Sequence, residues 1–314
     1  MKILFISNLS TERCGVKEYG LHMAAAIRRA GHEVVEWDGT YSSVYHHGYL
    51  PAALVTAGYD LVHLNWDPQA INHYLPQHFN GTYYEAQPTR GSGCPPLSLF
   101  LHDVPPNSTC PVYDIARWRF GFEPYQDVQV VPEAIPPTPT DLPEPPTSPP
   151  GHYVVGVTGI RSDPGMEMVR NVCQKAGWEF NAPLWWTGGP WLSAEDEIRR
   201  LARSHVNVCW YHASFRGKSM AANYCCAARR PLVLSGSSMF SALWPWESGD
   251  DMEMYIIRKT HRPAGEVSHY TEKTLEWWIR VAGECAHIRP ATVCDILSWD
   301  EVIKPILARW EAGR

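Results

Sequence analysis

The segment Phe215-Arg216-Gly217-Lys218-Ser219 places two cations and a hydroxyl around a glycine, just ahead of a stretch with helical spacing over residues 218–229. An arginine grips a phosphate bidentately, a lysine adds a point charge, and the free N–H groups of a helix start complete an anion site. The string is not a Walker loop, because that motif needs a glycine where His212 stands. A second anion-binding candidate is the loop Cys14-Gly15-Val16-Lys17-Glu18-Tyr19, where Gly15 lets backbone N–H groups near Val16 approach a ligand. Two apolar runs end in polar residues: Leu61 to Asn65 leads into Trp66 and Asp67, and Leu97 to His102 leads into Asp103. Asp67 suits the pocket of a hydroxyl acceptor. Trp66 and Trp191 offer ring faces for a sugar or a base. Asp103 is placed to accept a hydrogen bond from His102 or to contact the acceptor.

Other chemistry is absent from the pattern. The chain has 14 His and 9 Cys, yet His46-His47, His205 and His212 share no ligand spacing with cysteines or carboxylates, and no Cys-x-x-Cys occurs. No metal site and no disulfide framework is expected, and the odd cysteine number fits a reducing, cytoplasmic setting. No nucleophile motif and no Asp-x-Asp metal motif is present.

These candidates need elements to hold them. Residues 2–7 read as a strand, Glu18 to Ala30 as a helix ended by Gly31, and residues 32–36 as the next strand, which together make a βαβ opening. Between 132 and 150, nine of nineteen residues are proline, a composition that sustains neither helix nor central sheet and reads as an extended linker. Beyond it the pattern restarts: a strand over 152–158, a loop from Gly159 to Gly165, and a helix from Met166 to Ala176. Strands follow over 206–210 and 231–234, with helices over 194–203, 218–229, 272–284 and 299–311. At 314 residues two cores are expected. The fold class is therefore α/β, with two Rossmann-like domains facing a cleft. The expected boundaries are 1–131, the linker 132–150, 151–298, and a helix over 299–314 crossing back to the first domain.

Hydrophobic residues make up 45% and charged residues 19% of the chain, an ordinary globular balance, and no apolar run reaches the roughly 18 residues of a membrane span. The net charge is −6. Residues 1–150 hold 8 Lys/Arg against 15 Asp/Glu, and the remainder 19 against 18. An acidic first half disfavours a polyanionic partner there.

In order along the chain, Gly15-Val-Lys-Glu-Tyr19, Met23-Ala-Ala-Ala-Ile27, Ala30-Gly-His-Glu-Val34, Tyr59-Asp-Leu-Val-His-Leu-Asn65, Leu99-Phe-Leu-His-Asp103, Val130-Val-Pro132, Val155-Gly-Val-Thr-Gly159 and Leu297-Ser-Trp-Asp-Glu-Val302 resemble glycosyltransferase family 4, the retaining enzymes of GT-B fold. The resemblance implies a hexosyl- or pentosyltransferase that uses a nucleotide sugar as substrate and no cofactor or metal. It implies front-face transfer in which the leaving diphosphate draws the acceptor proton, so that the protein positions groups and stabilises charge. It places His102 against the donor sugar and Arg161, with Gly159, at the diphosphate. The chain departs from the pattern where the family carries two glutamates eight positions apart: Arg216 and Tyr224 fall in those slots. Pro164 stands where the family's diphosphate lysine is expected. Arg216, Lys218 and Ser219 are the replacement, with Arg161, for the donor diphosphate.

Two other functions fit the same residues. One is a base-modifying glycosyltransferase, of the kind viruses encode, acting on a hydroxymethylated base in DNA, with Arg117-Trp118-Arg119, Phe120 and Phe122 as a basic, aromatic contact. The other is a non-catalytic protein that binds a sugar nucleotide.

Overall fold

In the computed structural model of the chain, the described residues are 1–7, 15–37, 58–66, 95–102, 116–122, 125–159, 164–210, 220–234, 256–258, 271–284 and 298–313. They group into two compact units, Met1–Glu133 with Trp299–Arg314, and Ala134–Ser298.

The first unit is built on β1 (Lys2–Ile6), α1 (Gly15–Arg29), β2 (Glu33–Trp37), β3 (Leu61–Trp66), β4 (Leu97–Leu101), β5 (Trp118–Gly121) and β6 (Gln129–Val130). Its strands lie in the order β2-β1-β3-β4-β5-β6, each pair parallel. A parallel strand covered on both faces is apolar throughout; accordingly Ile3, Leu4, Phe5 and Ile6 are all buried, as is every residue of β4.

The second unit repeats the plan. It contains β7 (Val154–Val157), α2 (Pro164–Ala176), β8 (Glu179–Asn181), a 3₁₀ turn (Leu184–Thr187), α3 (Ala194–Ala202), β9 (Val206–Cys209), α4 (Met220–Ala227), β10 (Leu232–Leu234), β11 (Ile256–Arg258) and α5 (Glu272–Glu284). The strand order is β11-β10-β9-β7-β8, again parallel throughout. Counted from the first strand of each unit, both sheets share the 2-1-3-4-5 order of doubly wound folds. The core of this unit joins Val155, Val157, Val206, Val208 and Val233 to Val169, Val172, Leu275 and Ile279.

The first helix of each unit ends in the same way. Gly31 takes φ +90° and Gly177 φ +70°. After α1, Gly31 N donates to Arg28 O and His32 N to Ile27 O; after α2, Gly177 N donates to Gln174 O and Trp178 N to Cys173 O. This is the paired hydrogen bonding of a Schellman cap, which needs a left-handed residue and so a glycine. In α3, Ser193 Oγ instead caps the start by accepting from Asp196 N at 3.1 Å.

The chain ends back in the first unit with α6 (Trp299–Val302) and α7 (Lys304–Ala312). Sequence periodicity suggests one helix here. Pro305 divides it, since its ring nitrogen has no hydrogen to give to the preceding turn. Trp299, Val302, Ile306 and Trp310 still share one buried stripe.

Residues 134–150, expected as linker, group with the second unit and are tied to it by side chains. Arg230 Nη2 donates to Pro143 O, Arg199 Nη2 pairs with Asp141 at 2.9 Å, and Asn223 Nδ2 donates to Ala134 O. Among the described residues, no helix is long and apolar enough to cross a membrane.

Candidate functional site

In doubly wound sheets, ligands bind beyond the carboxyl ends of the strands, at the point where strand order reverses. In the first unit that point lies between β1 and β3. Ser7 follows β1 and Asn65 is near the end of β3, and Asn65 Nδ2 donates to Ser7 Oγ across the switch at 3.1 Å. His102 is the first residue past β4, and its Nε2 bonds Asn65 Oδ1 at 2.6 Å.

These contacts belong to a longer polar file. Side chains two apart on a strand share a face, so His63 and Asn65 of β3 lie on the same side, as do Ser98 and Phe100 of β4 with His102 beyond them. His63 Nδ1 meets Ser98 Oγ at 3.0 Å, and Ser98 Oγ also accepts from Trp310 Nε1 at 3.0 Å. His63, Asn65 and Ser98 are fully buried, and His102 is 5% exposed. Burial pushes His102 down to about 3; burial, then the neighbouring His102, does the same to His63. Both imidazoles are neutral at physiological pH.

Helix α1 closes over this file because one of its residues lacks a side chain. A Cβ on Gly20 would fall 2.3 Å from Ser7 Oγ and 2.7 Å from Asn65 Nδ2. Its neighbour Tyr19 stands edge-on to His102, centroids 4.9 Å apart at 88°, and packs against Phe100, Phe122 and Trp299. Burial, then the charge of Glu133, raises the Tyr19 phenol well above its ordinary range.

At the corresponding end of β7 in the second unit, a buried ion pair holds the strand. Arg200 gives Nε to Glu197 Oε2 at 2.9 Å and Nη2 to Oε1 at 2.7 Å. Its remaining hydrogens reach Val157 O at 2.6 Å and the O and Oδ1 of Asn181 at 2.7 and 2.9 Å. Thr158 Oγ1 donates to Glu197 Oε1. The carboxyl ends of β7 and β8 are thereby fixed to α3 just before Gly159, which is itself buried.

No family model matches the sequence, and no curated protein matches it in sequence. Solved structures do match over the whole chain. The Anabaena protein HepE, in complex with UDP and glucose, superposes with a TM-score of 0.59 at 12% identity, over 99% of this chain and 100% of that one. An alpha-glucosyltransferase in complex with UDP-glucose and DNA containing an abasic site gives 0.59 at 11% identity, over 98% of both chains. The lipopolysaccharide outer core galactosyltransferase WaaB gives 0.55 at 12%, over 100% of both. The fold is GT-B.

Of the residues singled out in this GT-B chain, His102 stands at the end of a central strand as expected, and Gly159 directly follows the β7 anchor. Gly15 and Val16 form the first turn of α1, three residues earlier than periodicity indicated. Trp66 closes β3. Tyr224 is buried in α4 at 7% exposure. Pro164 opens α2, a position where its fixed φ and missing N–H cost nothing. Trp191 is 44% exposed and stacks on Trp185 at 4.8 Å. Asp67, Asp103, Arg161, Arg216, Lys218 and Ser219 lie outside the described residues. Among the described residues, no three of His, Cys, Asp or Glu gather as a metal-ion site.

One expectation is corrected. Arg117 to Phe122 is not a basic stacking platform: Trp118, Phe120 and Phe122 are at most 9% exposed and belong to β5 and its end. Arg119 is taken by Asp127 at 2.5 Å, and Arg117 lies over the Trp118 ring. The interleaving of basic and aromatic residues is the two-residue alternation of a strand in the sheet. Ser7, His63, Asn65, Ser98, Thr158, Glu197 and Arg200 were not singled out by sequence. The available signal was polar residues at every second position in otherwise apolar strands, as in Leu61-Val-His-Leu-Asn65.

Proposed function

We propose that this chain is a glycosyltransferase that moves a sugar from a nucleotide-sugar donor to a hydroxyl acceptor, with retention of configuration and without a metal ion. The observation that carries this reading is the end-to-end match, at a TM-score of 0.59, to GT-B structures containing UDP with glucose, or UDP-glucose.

In this reading Arg161, Arg216 and Lys218 bind the donor diphosphate with Ser219 and the amide of Gly159, and Gly15 and Val16 are further donor-binding candidates. Tyr224 faces the nucleotide, and His102 positions the donor sugar. Trp66 and Asp67 are assigned to the acceptor, and Asp103 to the catalytic groups. The leaving diphosphate takes the acceptor proton, and the cations stabilise the charge that develops on it. No protein nucleophile enters the step.

Calorimetry with UDP, UDP-glucose and GDP-mannose tests the donor, and Lys218→Ala is expected to abolish binding with the fold intact. Unchanged donor affinity in that variant overturns the assignment. Turnover in excess chelator, with an α-anomeric product from an α-linked donor, is the expected outcome; loss of turnover or inversion contradicts the mechanism.

A DNA acceptor is the second reading, favoured by the likeness to the alpha-glucosyltransferase whose structure holds DNA. A gel shift with hydroxymethylated against plain DNA, at two salt concentrations, discriminates it. Retardation of the hydroxymethylated duplex alone supports it. Binding of a sugar nucleotide without turnover on any acceptor identifies a binding protein instead.

A further inference from the structure

The Asn65 amide is set with its nitrogen against Ser7 Oγ at 3.1 Å and its oxygen against His102 Nε2 at 2.6 Å. An amide oxygen only accepts. With the amide so placed, His102 Nε2 carries the ring hydrogen and Nδ1 keeps a lone pair. A half-turn of the ring would put Cε1 where Nε2 now meets Asn65 and would lose that bond, and Tyr19, Phe122 and Phe100 pack around the ring as it stands. Gly20 leaves the room that Ser7 and Asn65 occupy.

We propose that Asn65, anchored by Ser7, is a positioning residue that fixes the tautomer of His102, making Nδ1 an obligate acceptor that selects a neutral, hydroxyl-bearing sugar over an anionic one. An O–H group satisfies that lone pair, whereas a carboxylate oxygen is repelled by it. The titratable groups packed against His102 do not change this. His63 on β3 is neutral for the reason given above, and Tyr19 on α1 keeps its proton. The tautomer rests on the placement of the Asn65 amide between Ser7 and His102; the sugar selectivity rests on the transferase reading, in which His102 meets the donor sugar.

The test uses the full chain labelled with ¹⁵N-histidine, His102 being assigned by loss of its signal in His102→Gln. The wild type is expected to show the Nε2–H pattern at neutral pH. In Asn65→Asp the carboxylate still accepts from Nε2 but favours the imidazolium, so the His102 signal is expected to move toward the doubly protonated form and Nδ1 to become a donor. UDP-glucose affinity is then expected to fall about tenfold while UDP affinity holds, and UDP-glucuronate is expected to gain relative to UDP-glucose. Ser7→Ala, a milder change, is expected to give mixed tautomer signals and a smaller loss. An Nδ1–H pattern in the wild type overturns the relay, as does an equal loss of UDP and UDP-glucose in both variants. A wild type that binds neither ligand overturns the transferase reading and the selectivity with it, while the tautomer signal still decides the relay.

Discussion

Trp310 Nε1 donates to Ser98 Oγ at 3.0 Å, joining residues 212 positions apart in the chain. The same indole stands edge-on to His63, with centroids 5.2 Å apart, and close to Phe120. The last helix is thus part of the core of the first unit, and its hydrogen bond joins the buried His63–Ser98 pair.

Trp310→Ala is expected to destabilise the first unit by about 3–5 kcal/mol, through the lost ring and the cavity it leaves. Hydrogen exchange should show the β3 and β4 amides losing protection. Ser98→Ala, which leaves both Trp310 Nε1 and His63 Nδ1 without their partner, is expected to cost about 1–3 kcal/mol. Protection in β4 that is indifferent to Trp310 would contradict this account.

The buried imidazoles set a pH window. His63 and His102 are held near 3 in the folded state, against 6.5 when exposed. Between those values the unfolded chain binds protons that the folded chain does not, so stability is complete above about pH 6.5 and falls as the pH drops toward 3. Urea midpoints measured from pH 7.5 to 4.5 should reveal uptake of about two protons on unfolding from this pair. His63→Gln with His102→Gln should flatten that slope.

Gly20→Ala would ordinarily stabilise a helix by up to about 1 kcal/mol. Here the new methyl meets Ser7 Oγ and Asn65 Nδ2, and the crowding is expected to dominate, for a net loss of about 1–3 kcal/mol. Thermal unfolding gives the sign directly. The His102 ¹⁵N signal should shift in the same variant.

In the second unit, Arg200→Ala strands the Glu197 carboxylate in a site where the pair is at most 10% exposed. A loss of about 3–5 kcal/mol is expected in denaturant titration. Replacing both residues together, as Glu197→Leu with Arg200→Met, should recover part of that loss, because no lone charge remains. The recovery is partial, since Arg200 also satisfies Val157 O and Asn181 O.

Local periodicity made much of the fold legible. Helix α5 spans Glu272–Glu284, the bounds expected from its apolar spacing, and both parallel sheets follow from the alternation of strands and helices. The C-terminal helix was visible as a stripe, but its break required weight on one proline, Pro305. Strand β5 was misread because alternating arginines and aromatics look alike on a strand face and on a nucleic-acid contact; burial alone separates them. His102 was legible at the end of an apolar run. Its partners were not, because the hydrogen bonds among Ser7, Asn65 and His102 join residues 58 and 37 positions apart, and a single sequence carries no record of such pairings. The ion pair of Glu197 and Arg200 was hidden differently: at i, i+3 on a helix it reads as an ordinary surface pair, and only its closeness to the β7 carbonyls reveals its burial.

The discontinuity of the first unit bears on synthesis. Its sheet is translated before Trp299 and Trp310, which pack on Tyr19 of α1 and on the His63–Ser98 face of β3 and β4 respectively. The intervening Ala134–Ser298 unit is one uninterrupted stretch and can complete its core while the first sheet still lacks those side chains. During that interval the His63–Ser98 face is open to water or to other chains, the condition in which a nascent polypeptide calls on chaperones. Emergence of Trp299–Arg314 is thus the step that completes the core of the first unit.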